Sequence, residues 1–225
     1  MRYTKVVPSP ELDLIGRIER PAPLAQQAYE SIRRELMSGR WSRDERLTED
    51  QVAQRLSISR TPAREALRRL VLTGSLESVP GGGYGQRTFT SRDVREHCDL
   101  RVVLEPEAAA LTAQRDATVL DALLANDDLR RPVLDPAHDM RFHVAIADAS
   151  GNEVLAGLIR TLTERAAVHL LYGDARATSP RAELADAHLE IVAALRARDA
   201  PGAFGAMHRH LRVEQELLLL EAVAP

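Results

Sequence analysis

Apolar positions in "LAQQAYESIRRELM", residues 24–37, fall at Ala25, Ala28, Tyr29, Ile32 and Leu36, so the stretch predicts a helix with one buried face. Gly39 can end it. In "LTEDQVAQRL" the residues Leu47, Val52, Ala53 and Leu56 face inward, and Thr48 with Gln51 three positions on has the form of a capping box. After the short interval "SIS", Ser59 or Thr61 caps a third helix, with Pro62 in the first turn, where no backbone donor is needed. Ala63, Leu67, Leu70 and Val71 form its apolar stripe, and Gly74 stops it. "SLESVPGGGYGQRTFT" then places short β-capable runs on either side of a glycine cluster, which predicts a hairpin with its tip near Gly81 to Gly85.

From Ser91 onward the pattern is almost continuous amphipathic helix, in segments 91–115, 117–127, 137–149, 153–172, 180–198 and 201–221, punctuated by "RRPVLDP", "SGN", "TSPR" and "RDAPG". The expected fold is mainly α: an N-terminal winged helix-turn-helix domain followed by an all-α six-helix bundle. The expected divisions are a flexible arm over 1–22, the winged helix over 23–90 and the helical domain over 91–225.

The third helix carries a second stripe, Arg60, Arg64 and Arg68, on a face the core does not need. Charge along the chain gives that stripe a context. Residues 1–90 hold 15 basic against 11 acidic side chains and residues 91–225 hold 15 against 22, although the whole chain is only at −3. A basic half joined to an acidic half is expected where one part meets phosphate and the other does something else. In a helix-turn-helix the second helix enters the major groove by its N-terminal residues, and a helix N-terminus itself attracts phosphate. Arg60, Thr61 and Arg64 stand at that end, and arginine can grip guanine O6 and N7 with two hydrogen bonds. The single Cys98 excludes an internal disulfide and a thiolate cluster, and no apolar run reaches the length of a bilayer span. A cytoplasmic protein with no membrane partner is the expectation.

The run "LTEDQVAQRLSISRTPAREALRRLVLTGSLESV" resembles the DNA-binding domain of GntR-type bacterial transcription regulators, over roughly Leu24 to Phe89. The resemblance implies that Arg60, Thr61 and Arg64 contact double-stranded operator DNA and that a wing glycine near Gly82 enters the minor groove. Asp50 departs from the basic residue that many relatives carry early in their second helix.

In the second half, "HDMRFHVAIADASGNEVL" sets Asp139 and His143 four apart on one helical face, where two groups can chelate one ion. His188 is in register with Leu184, Ile191 and Leu195, and His210 shares a face with Met207 and Leu217, so both are expected inside; His208 is expected to face water. One carboxylate and three imidazoles suit a divalent transition metal, zinc first, with nickel, manganese or iron accepting the same donors. The combination "DMRFHVAIADASGN", "AHLEIVAAL" and "AMHRHL" resembles the helical effector domain of the FCD, or FadR-like, subgroup of those regulators, in its six-helix, VanR-like branch. That resemblance implies metal ligation by Asp139, His143, His188 and His210, and a small carboxylate effector met by Arg101. Arg101 is equally placed to pair with Glu105 one turn on. Asn152 is a candidate effector contact or a helix cap.

The resulting expectation is a homodimeric, effector-responsive repressor reading a two-fold operator. A regulator for which the metal itself is the signal, and a metalloenzyme, are the alternatives.

Overall fold

The capping box expected at Thr48 forms: the Gln51 amide donates to Thr48 Oγ1 at 3.2 Å and the Thr48 amide donates to Gln51 Oε1 at 2.8 Å. It opens the second of three short helices in the computed structural model, which describes residues 22–42, 45–87, 90–130, 136–172 and 181–221. Apart from Ala22, the arm expected over 1–22 lies outside the described residues, as do most of "RRPVLDP" and "TSPR".

Helices α1 (Leu24–Met37), α2 (Glu49–Leu56) and α3 (Arg60–Leu72) surround a core of Tyr29, Ile32, Leu36, Val52, Leu67 and Leu70. These are largely the apolar positions that the spacing selected. Strands β1 (Leu76–Ser78) and β2 (Tyr84–Gln86) pair antiparallel, with Leu76 opposite Gln86, and Leu47 adds a bridge to Tyr84 through two 2.8 Å backbone bonds.

Between the strands, Gly81, Gly82 and Gly83 all have positive φ, a conformation L side chains rarely adopt. A Cβ on Gly83 would also lie 2.8 Å from the Leu47 carbonyl oxygen, whereas one on Gly82 would meet nothing within 4 Å. Gly83→Ala is therefore expected to lower stability by about 1–3 kcal/mol and Gly82→Ala by about 1 kcal/mol, measured as urea midpoints. Equal losses would mean that only the backbone angle matters.

The remaining helices are α4 (Ser91–Ala113), α5 (Ala117–Leu124), α6 (Asp127–Arg130), α7 (Pro136–Ala149), α8 (Glu153–Tyr172), α9 (Arg181–Arg196) and α10 (Ala200–Glu221). The expected count of six is corrected by α6, a single turn whose Asp128 amide is held by Asn126 Oδ1 at 3.0 Å. Four residues are too few to show a period. Helices α4 and α10 run antiparallel along one another, as the pairs Arg101–Glu214 and Asp99–Gln215 show. Val102, Phe142, Ile146, Ile191, Leu195, Met207 and Leu211 fill the space between α4, α7, α9 and α10.

Helix α8 joins the two halves. Buried Glu164 accepts from Arg33 of α1 at 2.7 Å, and Arg165 donates to the Thr73 carbonyl beyond α3 at 2.7 Å. Arg33 also reaches Met140, next to Asp139 on α7. No helix among the described residues is long and apolar enough to cross a membrane.

Candidate metal centre and nucleic-acid interface

Asp139 and His143 of α7, His188 of α9 and His210 of α10 come together with one ligand atom from each within 4.8 Å of every other. The register reading selected these four, and the bundle brings all of them to one point. His210 Nε2 lies 3.1 Å from His143 Nε2 and 3.0 Å from His188 Nε2, while Asp139 Oδ1 is 3.4 Å from His188 Nε2 and 3.7 Å from His143 Nε2. All three imidazoles are buried, and Phe142 packs against the His188 ring at 4.1 Å between centroids.

The donors fit a cation better than they fit one another. A ring nitrogen has one in-plane lone pair, so His210 Nε2 cannot accept a proton from both neighbours. Nδ1 of His188 and of His210 has no hydrogen-bond partner among the described residues, so neither ring is oriented by a polar neighbour on its far side. A cation at the centre accepts all the converging lone pairs together.

Charge gives the same answer. Arg101 is almost wholly buried, its Nε 2.6 Å from Glu105 Oε1 and its Nη1 2.6 Å from Glu214 Oε1. With Asp139, one guanidinium faces three carboxylates, and with neutral imidazoles the excess is two negative charges, which a divalent ion balances. Arg101 Nη2 is buried without a partner among the described residues.

Glu105 and Glu214 were not selected from sequence as parts of this centre. Glu105 Oε2 lies 2.5 Å from His143 Nδ1, an ion-pair contact whose charge favours a proton on that side of the ring, while Nε2 faces the other ligand atoms. Glu214 stands one turn beyond His210, with Oε2 3.8 Å from its Nε2. Four-residue spacing to Arg101 and to His210 was the available signal, but acidic residues at that spacing are common on exposed helix faces.

The carboxylates also set protonation. Burial opposes charge on His143, yet Glu105 and Asp139 outweigh it and hold the imidazolium up to about 10. Burial pushes His188 down to about 3 and His210 well below the ordinary histidine range. Asp139, which burial alone would raise, is held far below the carboxylate range by His143, His188 and Arg101.

Asn152 makes a cap bond: its Oδ1 accepts from the Leu155 amide at 3.0 Å, and the residue is exposed. His208, expected in water, is half-buried and stacks on Phe204 at 6.3 Å. His138 is buried and bonded to the Asp128 carbonyl at 3.2 Å.

On the winged helix, Arg60, Thr61 and Arg64 are all exposed at the start of α3. Ser59 makes no side-chain cap, which leaves the first-turn amides open to an anion. Both arginines are nevertheless held: Arg60 by Asp50, and Arg64 by Glu49 through three contacts of 2.9 Å. Gly82 sits at the wing tip in open space.

Comparison with known proteins finds matches to two stretches of the chain. Residues 24–85 match the gntR family of bacterial regulatory proteins and residues 96–213 match the FCD domain. The chain is 31% identical to the Uxu operon transcriptional regulator of Escherichia coli over 88% of this chain and 89% of that protein. It is 28% identical to the transcriptional repressor RspR of E. coli, over 84% of this chain and 86% of that one. Among solved structures, E. coli McbR superposes with a TM-score of 0.72 at 24% identity, covering 88% of this chain and 98% of that chain.

Proposed function

The chain belongs to the GntR family of bacterial regulatory proteins with an FCD domain, and we propose that it is a DNA-binding repressor that responds to a small organic acid bound beside a divalent metal ion. The observation that carries the metal is the convergence of three imidazole Nε2 atoms and the Asp139 carboxylate in a buried cluster where three carboxylates face one guanidinium. The acid reading is supported by the spare buried Nη2 of Arg101 and by the electrophilic ion such a donor set holds. The names of the relatives are those of regulators, which supports a non-enzymatic role.

In this reading the domains divide at 23–90 and 91–225, and the chain works in the cytoplasm, as a homodimer on a two-fold operator. Arg60, Thr61 and Arg64 read the major groove, and Gly82 lets the wing backbone approach the minor groove. Exposed Leu100 and Val103 of α4, with Val154 and Leu158 of α8, support contact with a second copy. Effector binding moves α7 and α8 together. Consecutive residues of α8 hold α1, through Arg33, and the end of α3, through Thr73, so that motion reorients the reading helix.

The test is a DNA-binding titration on protein prepared without chelator, with elemental analysis of the same sample, adding metal and then a panel of small carboxylic acids. Metal bound at one ion per chain, with release from DNA only on adding an acid, supports the proposal. Reversible control by metal alone would replace it with the metal-sensing alternative. Arg64→Ala is expected to weaken specific binding by about 1–3 kcal/mol, roughly five- to a hundredfold, with metal content unchanged.

A further inference from the structure

We propose that Glu49 is a positioning residue for DNA reading: it holds the Arg64 guanidinium side-on so that the opposite edge faces the groove. This rests on Arg64 being a base-reading residue. Glu49 lies at the start of α2 and Arg64 lies one turn into α3, so the pair spans the turn between the two helices. Arg64 Nε is 2.9 Å from both Glu49 oxygens and its Nη2 is 2.9 Å from Oε2. The Nε–H donates to both carboxylate oxygens, and Nη2 stands in ion-pair contact with Oε2. A guanidinium also carries an Nη1/Nη2 edge with two parallel donors, the pattern that guanine O6 and N7 accept, and contact through Nε leaves that edge turned away from Glu49.

The neighbouring pair differs. Arg60 and Asp50 meet through one nitrogen with both side chains more than half exposed, whereas the Glu49 side chain keeps only 26% of its exposure. Tyr84 of the wing reaches Glu49 Oε1 at 3.5 Å, so the same carboxylate touches the wing and the reading helix. A long side chain fixed before DNA arrives loses less freedom on binding.

Glu49 also brings a negative charge to a face that meets phosphate, which disfavours every DNA sequence alike. Positioning and repulsion therefore predict opposite results when the charge is removed. The experiment selects binding sites from a random-sequence duplex pool with the full chain, then measures affinity for the selected duplex and for an unrelated duplex, in wild type, Glu49→Gln, Glu49→Ala and Arg64→Ala.

Both Glu49 variants are expected to bind the unrelated duplex as well as wild type or better. Glu49→Ala is expected to reduce the ratio of selected to unrelated affinity about tenfold, to relax the guanine preference, and to have no further effect on that ratio in the Arg64→Ala background. Glu49→Gln, isosteric and still able to accept one hydrogen bond, falls between. An unchanged ratio and motif in both Glu49 variants, with tighter binding to all DNA, would overturn the proposal and leave Glu49 as a repelling charge. If Arg64→Ala selects the wild-type motif, Arg64 does not read bases, and the proposal falls with that reading for a different, visible reason.

Discussion

Arg101→Met is expected to lower the unfolding free energy by about 3–5 kcal/mol at pH 7, because it leaves partners of a buried ion pair uncompensated. The guanidinium has almost no exposure and is clamped between Glu105 and Glu214, each at 2.6 Å. Methionine keeps most of the volume and removes only the charge and the donors. Burial raises the Glu214 carboxyl, and Arg101 is the main influence pulling it back. Without Arg101, that carboxylate prefers its neutral form in the folded chain but ionises in the unfolded one. A carboxylate whose folded pKa is raised stabilises the fold at acid pH and loses that contribution as pH rises, so the deficit of the variant is larger at pH 7 than at pH 5. Adding Glu214→Gln to Arg101→Met should recover a large part of the loss. Denaturant unfolding of all three chains at both pH values checks this, and a loss under about 1 kcal/mol with no pH dependence would refute the account of Arg101 as a buried counter-charge.

The local parts of this fold were legible because they depend on a few neighbouring residues. Thr48 and Gln51 close their box within one turn, and Asp139 with His143 share a face by spacing alone. His188 and His210 could be turned inward from the apolar residues on their faces, and the bundle then had little choice but to bring them to Asp139 and His143. Contacts between elements far apart in sequence were not legible. Glu214 reaches Arg101 across 113 residues, and Glu164 reaches Arg33 across the boundary of the two halves. Nothing in either local sequence distinguishes these carboxylates from the exposed acidic residues around them. Asp50 drew notice only as a departure from a family pattern, yet it and Glu49 take hold of the very arginines the resemblance assigned to DNA. Asn152 suits a cap by its type, and its Oδ1 accepts from the Leu155 amide as a cap does.

Loading the centre with metal at pH 7 is expected to release about one proton per ion and, at a free metal concentration a thousandfold above the dissociation constant, to stabilise the fold by about 4 kcal/mol. The proton comes from His143. In the metal-free chain burial opposes its charge, but Glu105 and Asp139 keep it protonated up to about 10, whereas burial holds His188, down to about 3, in its neutral form at pH 7. His210, lowered further by burial and by His188 and His143, is neutral as well. Only one of the three imidazoles must therefore give up a proton before its Nε2 can bind. Its Nδ1–H, 2.5 Å from Glu105, stays in place and turns the freed lone pair toward the other ligands. The raised folded pKa of His143 stabilises the metal-free chain below the ordinary histidine range, a contribution that is lost as pH rises toward 10. Metal replaces the proton, so metal affinity should climb about tenfold per pH unit between pH 7 and pH 9, and the gap between loaded and chelated melting temperatures should widen in the same direction. Titration calorimetry in two buffers of different ionisation enthalpy counts the protons, and melting with and without chelator measures the gap. His188→Ala is expected to remove both signals while the chain stays folded. A proton count of zero in wild type would mean that His143 is already neutral at pH 7, and the assignment of an imidazolium to the metal-free centre would be wrong.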